Sequence, residues 1–186
     1  MNWIRSWLFA VLSAVAVAAL LSGCATPASE EGMTAAVAPV AMQAIPQELR
    51  GQVAVKDVIG GKETNPLWAS NVGSEGFRNA LTASLKKSGL VGSDQASRFI
   101  VAASIQNVAQ PLMGFNMTVT MTVDYQLIER STNTVAWKQT ITRPYTATVG
   151  EAFLGSERLR VANEGAARTN IATFIELLAR TGPGAK

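Results

Sequence analysis

The run Met117-Thr118-Val119-Thr120-Met121-Thr122-Val123-Asp124-Tyr125-Gln126-Leu127 decides the fold. Its apolar side chains occupy every odd position and its polar ones every even position, a period that puts two chemistries on opposite faces of a strand. An antiparallel strand with one face on a core and the other toward water has this pattern. Glu129 to Thr134 reads as a polar turn. Val135, Trp137 and Ile141 continue the pattern in a partner strand that Pro144 is expected to end, which makes the pair a hairpin.

Upstream, Arg98 to Val108 reads as a strand with Phe99, Val101, Ala103 and Ile105 on one side, interrupted by Pro111 to Gly114. Gln52 to Ile59 is a first strand, stopped by Gly60-Gly61 and followed by a polar loop from Lys62 to Pro66. A helix is expected to open near Ser74-Glu75, because Phe77, Ala80, Leu81 and Leu85 form a stripe at helical spacing. Ser74 suits an N-cap, and Gly89 after Lys86-Lys87 suits the residue that closes the helix. A long helix follows from Ser156-Glu157 to about Arg180, with Ala167, Ile171, Phe174, Ile175 and Leu178 on its apolar stripe. Ala162, Gly165 and Ala166 allow a neighbour to approach closely, while Arg160, Glu164 and Arg168 step by four along an expected solvated face. The order β-α-β-β-β-α predicts an α+β two-layer sandwich, with a four-stranded, mostly antiparallel sheet and two helices on one face. The threonine face of the middle strand is then left open unless a partner covers it.

The start of the chain carries a different signal. Arg5 precedes an apolar run from Trp7 to Leu21, too short for the roughly 20 residues of a spanning helix but suited to an export signal. The run ends in Leu21-Ser22-Gly23-Cys24, which resembles the lipobox of bacterial lipoprotein precursors. Residues 1–23 are therefore expected to be removed and Cys24 to be acylated. Lipidation also accounts for the lone cysteine, which has no disulfide partner in an oxidising compartment. By resemblance to lipoprotein sorting in enteric bacteria, Ala25 after the cysteine implies the outer membrane, with the domain facing the periplasm.

Residues 24–50 are rich in Ala and Pro and read as a tether that reaches at most roughly 80 Å when extended. Alternatively Val37, Val40, Met42 and Ile45 dock on a partner or on the domain itself. Residues 51–180 form the domain, and residues 181–186 a flexible tail. Loss of Arg5, the one charge in residues 1–23, lowers the net charge from +3 to +2. With no basic stripe, nucleic acid is not an expected partner.

The lipobox, the tether and this order of elements resemble small envelope lipoproteins of Gram-negative bacteria. The likeness is greatest to the YajG-like group, carried by Phe77-Arg78-Asn79-Ala80-Leu81 through Leu90, by Phe99 to Asn107, and by Tyr145 to Phe153. LptE and the LpoB-type activators look similar in architecture. The resemblance implies work by binding other envelope components rather than by chemistry.

The composition agrees with a binding role. With no histidine and the only cysteine committed to lipid, nucleophilic triads and the commonest metal ligand are missing. Gly60-Gly61-Lys62 lacks the spacing of a phosphate-binding loop. Asp124 and Glu129 are the remaining acid pair to consider for a glycan hydrolase. Met113, Met117 and Met121 recur every four residues, as a thioether metal site on a helix would require, but on a strand they fill a core face. Neither enzyme activity nor a cofactor or metal is expected. Trp68 and Phe153 lie in loops as either interface anchors or lids over the core, and the lid is the preferred reading. With Thr118, Thr120 and Thr122 they are the candidate partner-binding residues. Two functions follow as expectations: binding of another envelope protein or, alternatively, carriage of a lipid or glycolipid in a pocket opened by Ala162, Gly165 and Ala166.

Overall fold

The computed structural model describes residues 25–66, 69–93 and 96–185. Its sheet has four strands in the order β1 (Val53–Ile59), β2 (Phe99–Ala109), β3 (Met117–Glu129) and β4 (Thr134–Ala147). β1 and β2 are parallel, and the other two pairs are antiparallel. The parallel pair needs a crossover, which passes through helix α3 (Ser74–Lys87). Two short helices precede the sheet, α1 (Glu30–Met33) and α2 (Pro39–Ala44), and α4 (Gly155–Thr181) closes the fold. The expected α+β architecture is therefore present.

Alternation set the buried face. Phe99, Val101, Ala103 and Ile105 of β2 and Met117, Val119, Met121, Val123, Tyr125 and Leu127 of β3 are buried with Phe77, Leu81 and Leu85 of α3. α3 packs on β1, and α4 packs on β3 and β4. Met117 and Met121 are thus core residues, whereas Met113 lies outside the strand and is exposed. Asp124 and Glu129 do not form an acid pair, since five residues of strand separate them by roughly 17 Å. Asp124 accepts from Thr140 Oγ1 at 2.6 Å, and Glu129 pairs with Arg98 at 3.0 Å. Among the described residues no three acidic, histidine or cysteine side chains are grouped to hold a metal ion.

Two local expectations are corrected. Pro144 does not end β4, which continues to Ala147 with Thr120 opposite Pro144. Edge strands tolerate a residue without an N–H, and β4 is an edge. Ser74 is the first residue of α3 and Gly73 its cap. The Ser74 hydroxyl instead accepts the Gly61 N–H at 2.9 Å, where the chain passes so close to α3 that a Cβ at position 61 would lie 2.2 Å from Ser74 N.

The stretch 25–50, read as a free tether, is bound to the domain. Met33, Ala35, Val37, Ile45 and Leu49 are buried in the common core, Met42 is partly buried, and only Val40 of the four docking candidates stays exposed. α1 packs on both α3 and α4, and α2 packs on α4. The physical reason is that the apolar residues among the alanines and prolines match a surface of α4 left uncovered by the sheet. The described residues from Ala25 to Arg50 are thus part of the packed domain. At the other end α4 runs to Thr181, whose hydroxyl accepts from Trp137 Nε1 at 3.0 Å. Gly182 is buried at the end of α4, and Gly184 passes near Pro46 and Glu48 while remaining exposed.

The face of α4 expected to be solvated is where this N-terminal strap sits. Glu164 is buried and accepts both the Ser29 N–H and the Ser29 hydroxyl at 2.8 Å. Arg160 also donates to it, and Arg160 bridges on to Glu157. That bond holds the Glu157 carboxyl below its ordinary pKa. Arg168 donates to the Gly32 carbonyl at 2.5 Å, and a Cβ on Gly32 would lie 2.2 Å from the Glu164 carboxylate. On the sheet side, Asn170 donates to the carbonyls of Met121 at 3.1 Å and Ile141 at 2.9 Å, and accepts from Tyr125 Oη at 2.9 Å. The Tyr125 ring stacks on Phe174 with centroids 4.2 Å apart, and burial pushes its hydroxyl pKa well up.

Replacing Asn170→Ala strands the buried Tyr125 hydroxyl and should cost about 1–3 kcal/mol of stability in urea unfolding. Glu164→Ala should leave the domain folded while speeding protease cleavage and amide exchange selectively between residues 25 and 37.

Candidate functional site

Two surfaces remain after the core and the strap are accounted for. The first is the open sheet face. On it Thr118 bonds Thr146 at 2.8 Å and Thr122 bonds Thr142 at 2.9 Å across the β3–β4 pair, with Asp124 and Thr140 next in line. Thr120 sits between the two pairs, opposite Pro144. A hydroxyl ladder of this kind ties the strands together and leaves a polar surface without bulky side chains. A shallow groove lined by Asp124, Gln126, Lys138, Gln139 and Thr140 continues it toward the turn. The three threonines singled out from the sequence are therefore together on one face.

The second surface is apolar and lies at the end of the sheet where β2 stops, β3 starts and β4 finishes. Leu112, Met113 and Phe115 in the β2–β3 loop are 99%, 83% and 87% exposed, and Phe153 and Leu154 in the β4–α4 loop are 84% and 55% exposed. The lid reading of Phe153 is thereby overturned, because a lid would be buried against the core. Pro111 and Gly114 break the strand in the β2–β3 loop, and its leucine, methionine and phenylalanine stand exposed. Leu112 and Phe115 were missed in the sequence because Pro111 to Gly114 registered only as a break, and Met113 was weighed only for a metal site; Leu154 shares the loop reading given for Phe153. Three large apolar residues in a Pro/Gly-bounded loop were the available signal. Trp68 and Cys24 lie outside the described residues.

One side chain joins the two loops. Arg158, in the first turn of α4, is buried and donates from Nη1 to the carbonyls of Ala152 at 2.7 Å and Phe153 at 2.9 Å, and from Nη2 to that of Gly114 at 3.1 Å. Its acceptors are all backbone carbonyls, and its Nε has no acceptor. Glu151 steadies the neighbouring turn, accepting from Tyr145 Oη at 2.7 Å and from the Thr148 N–H at 2.9 Å. The Thr148 N–H and Tyr145 hydroxyl hold its carboxyl below the ordinary pKa, while the same contact raises that of Tyr145.

The small residues of α4 do not open a pocket at this site. A Cβ on Gly165 would stand 2.2 Å from Tyr145 Cδ1, so the tyrosine ring fills the space next to the helix. Ala162 and Ala166 are fully buried in the same core.

No protein-family model matches the chain, and no curated protein matches it by sequence. Among solved structures, the protein XCC0632 from Xanthomonas campestris, of family DUF330, is similar with a TM-score of 0.56 at 14% identity, covering 80% of this chain and 94% of that one. A candidate lipoprotein from Caulobacter crescentus has a TM-score of 0.47 at 12% identity, with 75% of this chain and 90% of that one covered. The PelC dodecamer from Paraburkholderia phytofirmans has a TM-score of 0.46 at 18% identity, covering 68% of this chain and 88% of that one. At 14% identity the likeness to the Xanthomonas protein is one of fold, and it extends over nearly all of that chain.

Arg158→Met should keep the core but unlink the loops. Amide exchange should rise in residues 110–116 and 148–154 together, with the sheet amides unchanged.

Proposed function

We propose that the chain is a non-catalytic lipoprotein, held in the outer membrane by acyl groups on Cys24, whose periplasmic domain binds another envelope protein. The observation that carries the binding role is the uncovered sheet face. Both long helices and the strap lie on the other side, and the threonine ladder forms the β3–β4 part of the open face beside shallow grooves. Four strands of about ten residues present roughly 650 Å², close to the ~800 Å² that each partner contributes to a standard interface. Backbone polar groups inside the sheet are already paired, so what binding must desolvate is side chains: the threonine hydroxyls with Asp124, Gln126 and Lys138.

The anchoring part of the reading rests on the order of charge, apolar run, small residues and cysteine at the start of the chain. More than one acyl chain is needed for stable retention, since a single chain binds marginally. The alternative, carriage of a lipid or glycolipid, needs room near Ala162, Gly165 and Ala166, where Tyr145 is instead packed against Gly165. A binding module is the simpler account of that geometry.

Intact-mass measurement of protein extracted from membranes should return a chain beginning at Cys24 and carrying acyl groups. A photo-crosslinking amino acid at Thr118 should form an adduct with one recurring envelope protein in living cells, while the same residue at the exposed Glu31 on the strap should not. Absence of acyl mass would end the lipoprotein reading, and absence of an adduct from the sheet face would end the docking reading.

A further inference from the structure

We infer that the apolar loop end of the domain, with Leu112, Met113, Phe115, Phe153 and Leu154 at its tips, rests in the surface of the same membrane that holds the lipid. The inference depends on the acylation of Cys24 proposed above and adds an orientation and a second membrane contact to it.

The path of the strap carries the argument. Gly32 lies beside Arg168 and Ser29 beside Glu164, so tracing the chain backwards moves along α4 toward its first turn. Ala28 N–H then donates to Asn71 O at 3.1 Å, and Ala25 N–H to Pro66 O at 2.8 Å. Both acceptors belong to the loop between β1 and α3, at the end of the sheet where β2 stops. That loop is fixed to the same end by Ser70, whose carbonyl accepts from Gln110 Nε2 at 3.0 Å and from Asn163 Nδ2 at 2.8 Å. Gln110 is two residues from Leu112, and Asn163 is five residues, roughly 7.5 Å of helix, from Arg158. Ala25 therefore joins the domain at the end that bears the apolar tips. It is bonded directly to Cys24, and the strap leaves no slack between them, so acyl chains on Cys24 draw this end of the domain to the bilayer.

The tips suit that surface. Leu112, at 99% exposure, projects from the domain rather than lining a groove. Residues 110–116 contain no charged side chain, and in residues 147–155 the only one is Glu151, which is bonded to Tyr145 and Thr148. Arg158 holds the two loops side by side, so their apolar residues meet the membrane as one patch. Wedges of Leu, Met and Phe on an uncharged loop seat at the boundary of headgroups and acyl chains, as the apolar face of an interfacial helix does. A protein partner would be expected to supply its anchors with a pocket, whereas here the anchors project from two convex tips.

The test uses the lipidated protein in vesicles of phosphatidylethanolamine and phosphatidylglycerol. An environment-sensitive fluorophore is attached at Met113→Cys, at Phe153→Cys or, as the control, at Thr132→Cys in the β3–β4 turn at the opposite end. The first two should shift to the blue and be quenched several-fold more by spin-labelled lipid than the control. Adding Leu112→Lys and Phe115→Lys to the Phe153→Cys reporter should return it to water while the acyl anchor still holds the protein. Intact mass of the same preparation reports acylation separately. Acylated protein whose tip reporters stay as water-exposed as Thr132→Cys overturns the proposal and leaves the lipoprotein reading standing. Reporters shielded only after an envelope protein extract is added assign the patch to a protein and overturn it as well. A chain without acyl groups removes the premise.

Discussion

Burying an unpartnered polar side chain costs roughly 2–7 kcal/mol, and α4 carries Arg158, Asn163, Glu164 and Asn170 into its buried surface. Each is held by a different segment of the chain, with only Arg158 Nε left without an acceptor among these four side chains. Arg158 takes the two apolar loops, Asn163 the loop after β1, Glu164 the N-terminal strap and Asn170 the β3–β4 pair. The helix therefore works as a hub whose partners are specified one by one. Apolar packing alone would allow these segments to slide, whereas a carboxylate or amide with fixed hydrogen-bond partners sets their register. Close approaches accompany this arrangement: a side chain at Gly32 would displace the Glu164 carboxylate, and one at Gly165 would displace the Tyr145 ring.

The strap changes what the proposed anchor at Cys24 would do. A loose tether would let the domain sample many orientations at a distance from the bilayer. A bound strap, joined to α4 through Glu164 and Arg168, fixes the exit point of the chain. Arg160 links Glu157 to Glu164, a charged row that looks like ordinary surface pairing until Ser29 covers its end. The open threonine face runs along the sheet and the apolar tips lie at its end. A domain seated on those tips would hold the sheet face steeply to the membrane, accessible to a neighbour in the periplasm.

How much of this was legible depends on the range of the signal. Alternation from Met117 to Leu127 gave the middle strand, its buried face and its hairpin, because side-chain direction in a strand is a local property. The stripes from Phe77 to Leu85 and from Ala167 to Leu178 gave both long helices for the same reason. Pro144 misled because its effect on a strand depends on whether the strand is an edge, which is a matter of sheet order. Residues 25–50 misled because alanine and proline are equally at home in a linker and in a strap, and the choice rests on whether a complementary surface exists elsewhere. Glu164 misled because a charged residue at four-residue spacing normally meets water.

By itself, then, the sequence determined the strands, the long helices and the α+β class, all of which follow from neighbours within a few residues. Only the tertiary structure decided that the strap closes over α4, that Phe153 is exposed, and that two loops far apart in sequence share one guanidinium. Those outcomes depend on which polar groups find each other once α4 is surrounded, and no local pattern encodes that pairing.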